Sequence, residues 1–192
     1  MRLATRRSLL SRPAAAATAV SWWLASGTIA EANVYEHVEL PSAGQSYAGS
    51  TIANNLPYTI VFRTTDSTAT QFVFDFNGNP GRIACGYVPG NGFIESQWWG
   101  SVTNSLFSSG DHVYYLVVSA AQVATWYRDN VQVGSTYTNW STGVDGTNGA
   151  RWRSLFNNAG ANNWTPDLTY AAVYNVALDS TQRSALYTAM SA

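Results

Sequence analysis

Three local signals follow one another from Asp111 to the C-terminus, and their order leaves few folds open. First comes an apolar strand, His112-Val-Tyr-Tyr-Leu-Val-Val118. Next is a hairpin, Ala124-Thr-Trp-Tyr-Arg-Asp-Asn-Val-Gln-Val-Gly134, with Asp129-Asn130 at its tip. Asp and Asn tolerate the positive φ that a two-residue turn demands, and apolar–polar alternation on either side suits half-buried strands. Last is a strand that runs into a helix, from Leu168 to Tyr187. The period changes at Asp179, which is placed to cap the first helical turn. Gln182, three residues on, completes a capping box. Leu178 and Arg183 occupy the two staple positions, of which only Leu178 is apolar.

In that order these pieces resemble the laminin-G-like, concanavalin A-like jelly-roll domain. Gly110-Asp-His-Val-Tyr-Tyr-Leu-Val resembles the family's "G-x-W-H-H-V-A-x-V" strand, and Trp126-Tyr-Arg-Asp-Asn-Val-Gln-Val-Gly its "x-Y-V-D-G-x-x-V-G" hairpin. Tyr170-Ala-Ala-Val-Tyr-Asn-Val-Ala-Leu-Asp-Ser-Thr-Gln resembles the closing "D-E-V-R-I-Y-N-R-A-L-S-x-x-E-I" and is the most specific of the three. The likeness extends upstream through Tyr58-Thr-Ile-Val-Phe-Arg63 and Gln71-Phe-Val-Phe-Asp-Phe76, and stops short of the first thirty or so residues. Two positions depart from the pattern. Asn130 stands where Gly is usual in the hairpin. Thr169-Tyr170 replace a common acidic pair, which weakens any metal or catalytic role for that strand. The resemblance implies an all-β, antiparallel jelly-roll sandwich with a short C-terminal helix.

Strand-like runs recur from Val34 onward at 34–40, 58–64, 71–76, 82–88, 93–99, 112–118, 125–128, 131–137, 151–156 and 168–174. Gly–Asn clusters such as Asn77-Gly-Asn-Pro-Gly81 and Pro89-Gly-Asn-Gly92 supply the turns, and a helix is expected over 180–190. The 192 residues suffice for one domain with a sizeable core. Charged residues are 11% of the chain, far below the roughly 25% of an average soluble domain. Ser, Thr, Asn and Gln must therefore cover the surface. A net charge of −1 gives no electrostatic case for nucleic acid or for an anionic membrane, and no apolar run is long enough to span a bilayer. The lone Cys85 excludes an intrachain disulfide and reads as a small buried hydrophobe.

Residues 1–33 differ from the rest. Arg2, Arg6, Arg7 and Arg12 precede an Ala-rich run and Trp22-Trp23-Leu24, and no acid appears before Glu31. One reading is a secretion signal with an Ala30-Glu31-Ala32 cleavage pattern and a twin-arginine-like start. Pro13 and the paired Trp residues speak against it. The preferred reading is an extended arm that docks on a neighbouring chain, since an Arg-rich start ending in Trp22-Trp23-Leu-Ala-Ser-Gly27 resembles proteins encoded among bacteriophage structural genes. The division is then 1–33 for the arm and 34–192 for the sandwich.

Glycan-cleaving enzymes on this fold cluster acids on one strand so that one carboxyl donates a proton and another attacks. Nothing here matches: Glu36 and Glu39 differ in strand parity, and Asp75 and Glu95 are isolated in sequence. Gly44-Gln-Ser46-Tyr-Ala-Gly49 misses the nucleophile-elbow spacing by one residue. His37 and Glu39 share a strand face, but two groups do not make a metal site, and His112 is expected to be structural. No cofactor is expected, although calcium occurs in some laminin-G-like domains; Asp129, Asp145 and Asp167 are loop acids better read as turn formers.

Aromatics, at 14% of the chain, are the better lead. Sugar rings present apolar faces that stack on Trp and Tyr while amides read their hydroxyls. Trp98 and Trp99 are adjacent, so one faces the core and the other the opposite surface. Trp140 and Trp164 lie in polar loops, beside Tyr137 and beside Asn157, Asn158, Asn162 and Asn163. These seven residues are the candidate carbohydrate contacts. The expected function is a non-enzymatic carbohydrate-binding or adhesion module on a phage-like virion surface. Its partners would be a glycan, a neighbouring virion protein reached through residues 1–33, and further copies of the chain in a homo-oligomer. The alternatives are a secreted lectin-like domain, a polysaccharide-cleaving enzyme and a purely structural virion protein.

Overall fold

A computed structural model of the chain describes residues 22–39, 47–48, 57–66, 71–77, 82–88, 92–97, 101–103, 107–138, 140, 150–152 and 165–191. The strands are β1 (Val34–Glu39), β2 (Tyr47–Ala48), β3 (Tyr58–Thr65), β4 (Gln71–Asn77), β5 (Arg82–Val88) and β6 (Gly92–Gln97). They continue with β7 (Ser101–Thr103), β8 (Asp111–Val118), β9 (Ala124–Arg128), β10 (Val131–Tyr137), β11 (Ala150–Trp152) and β12 (Leu168–Tyr174), and the helix α1 (Ser180–Ser191) follows. One sheet runs β1-β12-β3-β8-β9-β10 and the other β2-β11-β4-β5-β6-β7. Neighbouring strands pair antiparallel throughout. The all-β sandwich and its terminal helix are those expected. Strands over 82–88, 131–137 and 168–174 match the sequence reading to the residue. The short β2 and β7 were not foreseen. Trp98 and Trp99 lie outside the described residues, as do 153–156 of the run expected at 151–156.

The inner core joins the two sheets. Ile60, Phe62, Tyr114, Leu116, Trp126 and Val173 of the first meet Val73, Phe74 and Cys85 of the second. Phe62 stacks on Tyr114 with centroids 5.2 Å apart and meets Phe74 edge-on at 5.9 Å. The alternate residues Val61, Val113, Tyr115, Ala172 and Tyr174 point the other way and form a second core. Leu186 and Met190 of α1, with Trp22, Ala25 and Ile29, cover that outer face. The first sheet is thus buried on both sides, which is why β3, β8 and β12 read as continuous apolar runs rather than as alternating strands.

This packing corrects the arm. From Trp22 on, the segment expected on another chain lies on this domain's own sheet, where Trp22, Ala25 and Ile29 pack in one cluster with Leu186 and Met190 of α1. Residues 1–21 lie outside the described residues. The Trp22–Gly27 turn includes Ala25, Ser26 and Gly27 at φ 45°, 58° and 84°. Thr28 N–H donates to the Ala25 carbonyl and Ile29 N–H to that of Leu24, both at 3.1 Å. Left-handed Ala and Ser cost on the order of 1–2 kcal/mol each. Such a turn persists only where surrounding contacts over-determine it; here Trp22 and Ala25 are buried, and Tyr174 Oη donates to the Trp23 carbonyl at 3.0 Å.

At the other end, Asp179 and Gln182 form the expected capping box. Gln182 N–H donates to Asp179 Oδ1 at 2.9 Å, and Asp179 N–H to Gln182 Oε1 at 3.1 Å. Arg183 closes the helix start by a polar route in place of an apolar staple: its Nη1 donates to the Leu178 carbonyl at 2.7 Å. The hairpin tip is as expected, with Asp129 at φ 48°, Asn130 at φ 65° and Val131 paired with Arg128.

Candidate functional site

Of the expected carbohydrate contacts, Trp140 is a core residue. It is 3% exposed and packs with the inner cluster. Its Nε1 donates to Tyr58 Oη at 2.7 Å, and its backbone N–H to the Gln122 carbonyl at 2.8 Å. Those two bonds seat it against the end of β3, and an indole so enclosed has no face for a sugar ring. Tyr137, half-buried, packs on the same core with its ring 6.3 Å from that of Trp140. Trp164, Asn157, Asn158, Asn162 and Asn163 lie outside the described residues.

The loop acids divide similarly. Asp129 spends its carboxylate within the protein: Oδ1 accepts from Val113 N–H at 3.0 Å and Oδ2 lies 2.5 Å from His112 Nδ1. His112 Nε2 is 3.0 Å from the Ser109 carbonyl, so both ring nitrogens face acceptors and the residue ties strand to turn. Asp167 contributes its carbonyl, which accepts from Thr64 Oγ1 at 2.5 Å. Asp145 lies outside the described residues. Among the described residues no three His, Cys, Asp or Glu side chains gather as a metal site. Asp75 pairs with Ala84 and Glu95 with Cys85, so the two acids stand one register position out of step across β5.

An aromatic cluster that the sequence reading did not assemble lies at the β1 edge of the first sheet. Trp22 and Trp23 reach it from the N-terminal turn, His37 from β1 and Tyr170 from β12. Trp23 and His37 stack nearly parallel, with centroids 3.6 Å apart and planes at 15°. Trp22 packs on Tyr170 at 5.1 Å and meets Trp23 edge-on at 5.9 Å. His37 is exposed, Trp23 and Tyr170 are half-buried, and Trp22 is the buried base. The Trp22 Nε1–H is enclosed and has no hydrogen-bond acceptor among the described residues. A buried donor left in that state costs on the order of 1–3 kcal/mol. Chemically, the cluster offers aromatic surface for an apolar ring through Trp23, His37 and Tyr170, while the Trp22 N–H lies beneath it.

The arginine in register with Tyr170 is engaged elsewhere. Arg63 pairs in register with Tyr170, yet its Nε and Nη2 bind Asp111 Oδ2 at 2.9 and 2.7 Å and its Nη1 donates to the Met190 carbonyl. The sequence signal for this cluster was the Trp pair in a run of small residues. Its meeting with His37 depends on a turn that no periodicity announces.

The fold defines a two-sheet antiparallel sandwich bearing an aromatic edge. No protein family and no curated protein sequence matches the chain. Solved structures do. Trypanosoma rangeli sialidase is similar over 83% of this chain and 28% of its own, at 12% identity and a TM-score of 0.56. The same sialidase in complex with sialic acid aligns over 72% of this chain and 23% of its own, at 14% identity and 0.53. The botulinum neurotoxin type G receptor binding domain aligns over 82% and 51%, at 10% identity and 0.50. The chain therefore spans about a quarter of the sialidase and about half of the toxin domain. At these identities the likeness is one of fold.

Proposed function

We propose that this chain is a non-enzymatic carbohydrate-binding module of laminin-G-like type. The observation that carries the reading is the Trp22–Trp23–His37–Tyr170 cluster, which gathers exposed and half-buried aromatic rings over a buried Trp22 base on a sheet packed on both sides. Support from outside the chain is the fold shared with a sialidase solved in complex with sialic acid and with a toxin's receptor binding domain. The binding role is preferred to cleavage because the sequence lacks a strand-borne acid cluster and a triad pattern. Display on a phage-like particle is part of the proposal, with the Arg-rich stretch before Trp22 as the attachment.

A glycan array of the intact protein tests it, read beside Trp23→Ala and Trp140→Ala. Binding that falls on Trp23→Ala and survives Trp140→Ala at a temperature where both are folded supports the module. Turnover of any arrayed glycan overturns the non-enzymatic reading. Intact-mass measurement on purified virions tests display, since finding the chain only in culture medium overturns it.

A further inference from the structure

We propose that His37 is a movable cover on the Trp23 indole and that a glycan binds by displacing it; this rests on the carbohydrate-binding reading and names the ring on which the sugar lies. The two rings stand 3.6 Å apart with their planes at 15°, in face-to-face contact. Apolar heavy atoms already touch at about 4 Å, so no sugar enters between them. The covered face of Trp23 becomes a platform only when the imidazole leaves it.

Which ring moves follows from how each is held. Trp23 belongs to the turn that packs on the outer core, with Trp22 and Ala25 buried on either side of it in sequence. Its ring is half-buried against that core and meets Trp22 edge-on at 5.9 Å, and its carbonyl accepts from Tyr174 Oη at 3.0 Å. His37 is exposed and lies on β1, the outermost strand of its sheet, in register with Ala172. Exposed side chains change rotamer within picoseconds to nanoseconds, so uncovering Trp23 adds no slow step. The indole is also the broader platform of the two. Uncovering it has an equilibrium cost, because an aromatic pair contributes a factor of about two to ten beyond the area it buries. Apparent affinity falls with the fraction of molecules whose platform is open. The cover therefore screens ligands by shape: a pyranose with an apolar ring face replaces the contact that the imidazole gives up, and an open-chain polyol does not.

The test titrates the full chain, His37→Ala and His37→Phe with a panel of pyranose oligosaccharides, and with sorbitol as a polyol that has no ring. His37→Ala should tighten pyranose binding about three- to tenfold, since the cost of uncovering is gone. His37→Phe restores a flat cover and should return affinity to the parent level or below. In the parent protein, a nuclear Overhauser contact between the His37 and Trp23 rings should be present when free and vanish on saturation with sugar; this readout needs no variant to fold. Weaker binding by His37→Ala, with the ring contact kept in the complex, would place the sugar on the imidazole and overturn the cover while leaving the module standing. Affinity unmoved by both variants, again with the contact kept, would overturn it by placing the sugar elsewhere. Sorbitol binding as tightly as the pyranoses would overturn the screen by shape. Binding of no probe by the parent or by His37→Ala removes the module and the cover together.

Discussion

Replacing Trp22 by Ala tests whether the N-terminal turn belongs to this domain. The ring is 6% exposed and is the largest side chain that the turn contributes to the outer core. An indole buries about 200 Å², and at about 25 cal/mol per Å² its removal costs about 5 kcal/mol. Part of this is offset, because the N–H, which has no acceptor among the described residues, leaves with the ring and its penalty of about 1–3 kcal/mol goes too. The net loss is about 2–4 kcal/mol. For a chain of this size, each kcal/mol moves the melting temperature by roughly 2–4 °C, so Trp22→Ala should melt about 4–16 °C below the parent. Urea titration gives the free energy, and hydrogen exchange at Val113, Tyr115 and Ala172 shows whether the outer face opens. Trp22→Phe is the control: it keeps an aromatic ring and drops the N–H, so it should lose well under half as much. A melting temperature within about 2 °C of the parent for Trp22→Ala would refute the packing argument, and with it the inclusion of residues 22–33 in the folded unit.

Trp140→Ala should cost about 3–5 kcal/mol in urea unfolding, since it empties a site in the inner core and removes the indole N–H that donates to Tyr58 Oη. Asp179→Ala removes the acceptor for Gln182 N–H and should lower stability by about 0.5–2 kcal/mol, with faster exchange confined to the first turn of α1. Burial pushes the Tyr114, Tyr115 and Tyr174 phenols well above their ordinary value of 10.0. The unfolded chain therefore loses those protons first: stability is full below pH about 10 and falls above it. Phenolate absorbance followed against pH checks this; gradual ionisation of all eleven tyrosines with no unfolding step would contradict it.

What the sequence disclosed and what it hid divide along the range of the interactions. The hairpin tip and the capping box are local, set by residues two or three positions apart, and Asp129, Asn130, Asp179 and Gln182 behave as their types dictate. The two faces of the first sheet are not local. In β3 and β8 apolar residues follow one another without alternation, so the pattern announces burial without saying which residue faces which core. That the outer face is covered by Trp22, Ala25 and Ile29 depends on a left-handed turn built from Ala and Ser, residue types that do not advertise positive φ. Trp140 misled for the same reason. Its Asn and Thr neighbours suggest exposure, while the partner that buries it, Tyr58, is 82 positions away.

Asn130 shows how a departure from a family pattern acquires a reason once the structure is known. Its φ of 65° is one that Gly adopts freely, and Asn accepts it at a cost of up to about 1 kcal/mol. The side chain offsets that cost. Its Oδ1 accepts from Arg183 Nε at 3.0 Å, and its Nδ2 donates to Ser184 Oγ at 2.6 Å. Arg183 is 8% exposed, lies over the Tyr127 ring at 3.8 Å, and forms no ion pair with a described carboxylate. A buried guanidinium held only by neutral acceptors is sensitive to losing one, at about 1–3 kcal/mol. Asn130→Gly should therefore destabilise by about 1–2 kcal/mol, the relief of φ strain being smaller than the loss at Arg183. The decisive comparison is a double-mutant cycle with Arg183→Met, which keeps the aliphatic packing and removes the charge. In that background the acceptor has nothing to hold, and Asn130→Gly should become neutral or stabilising. A rise in melting temperature for Asn130→Gly in the otherwise unaltered protein would show that backbone strain at the tip outweighs the clasp between hairpin and helix.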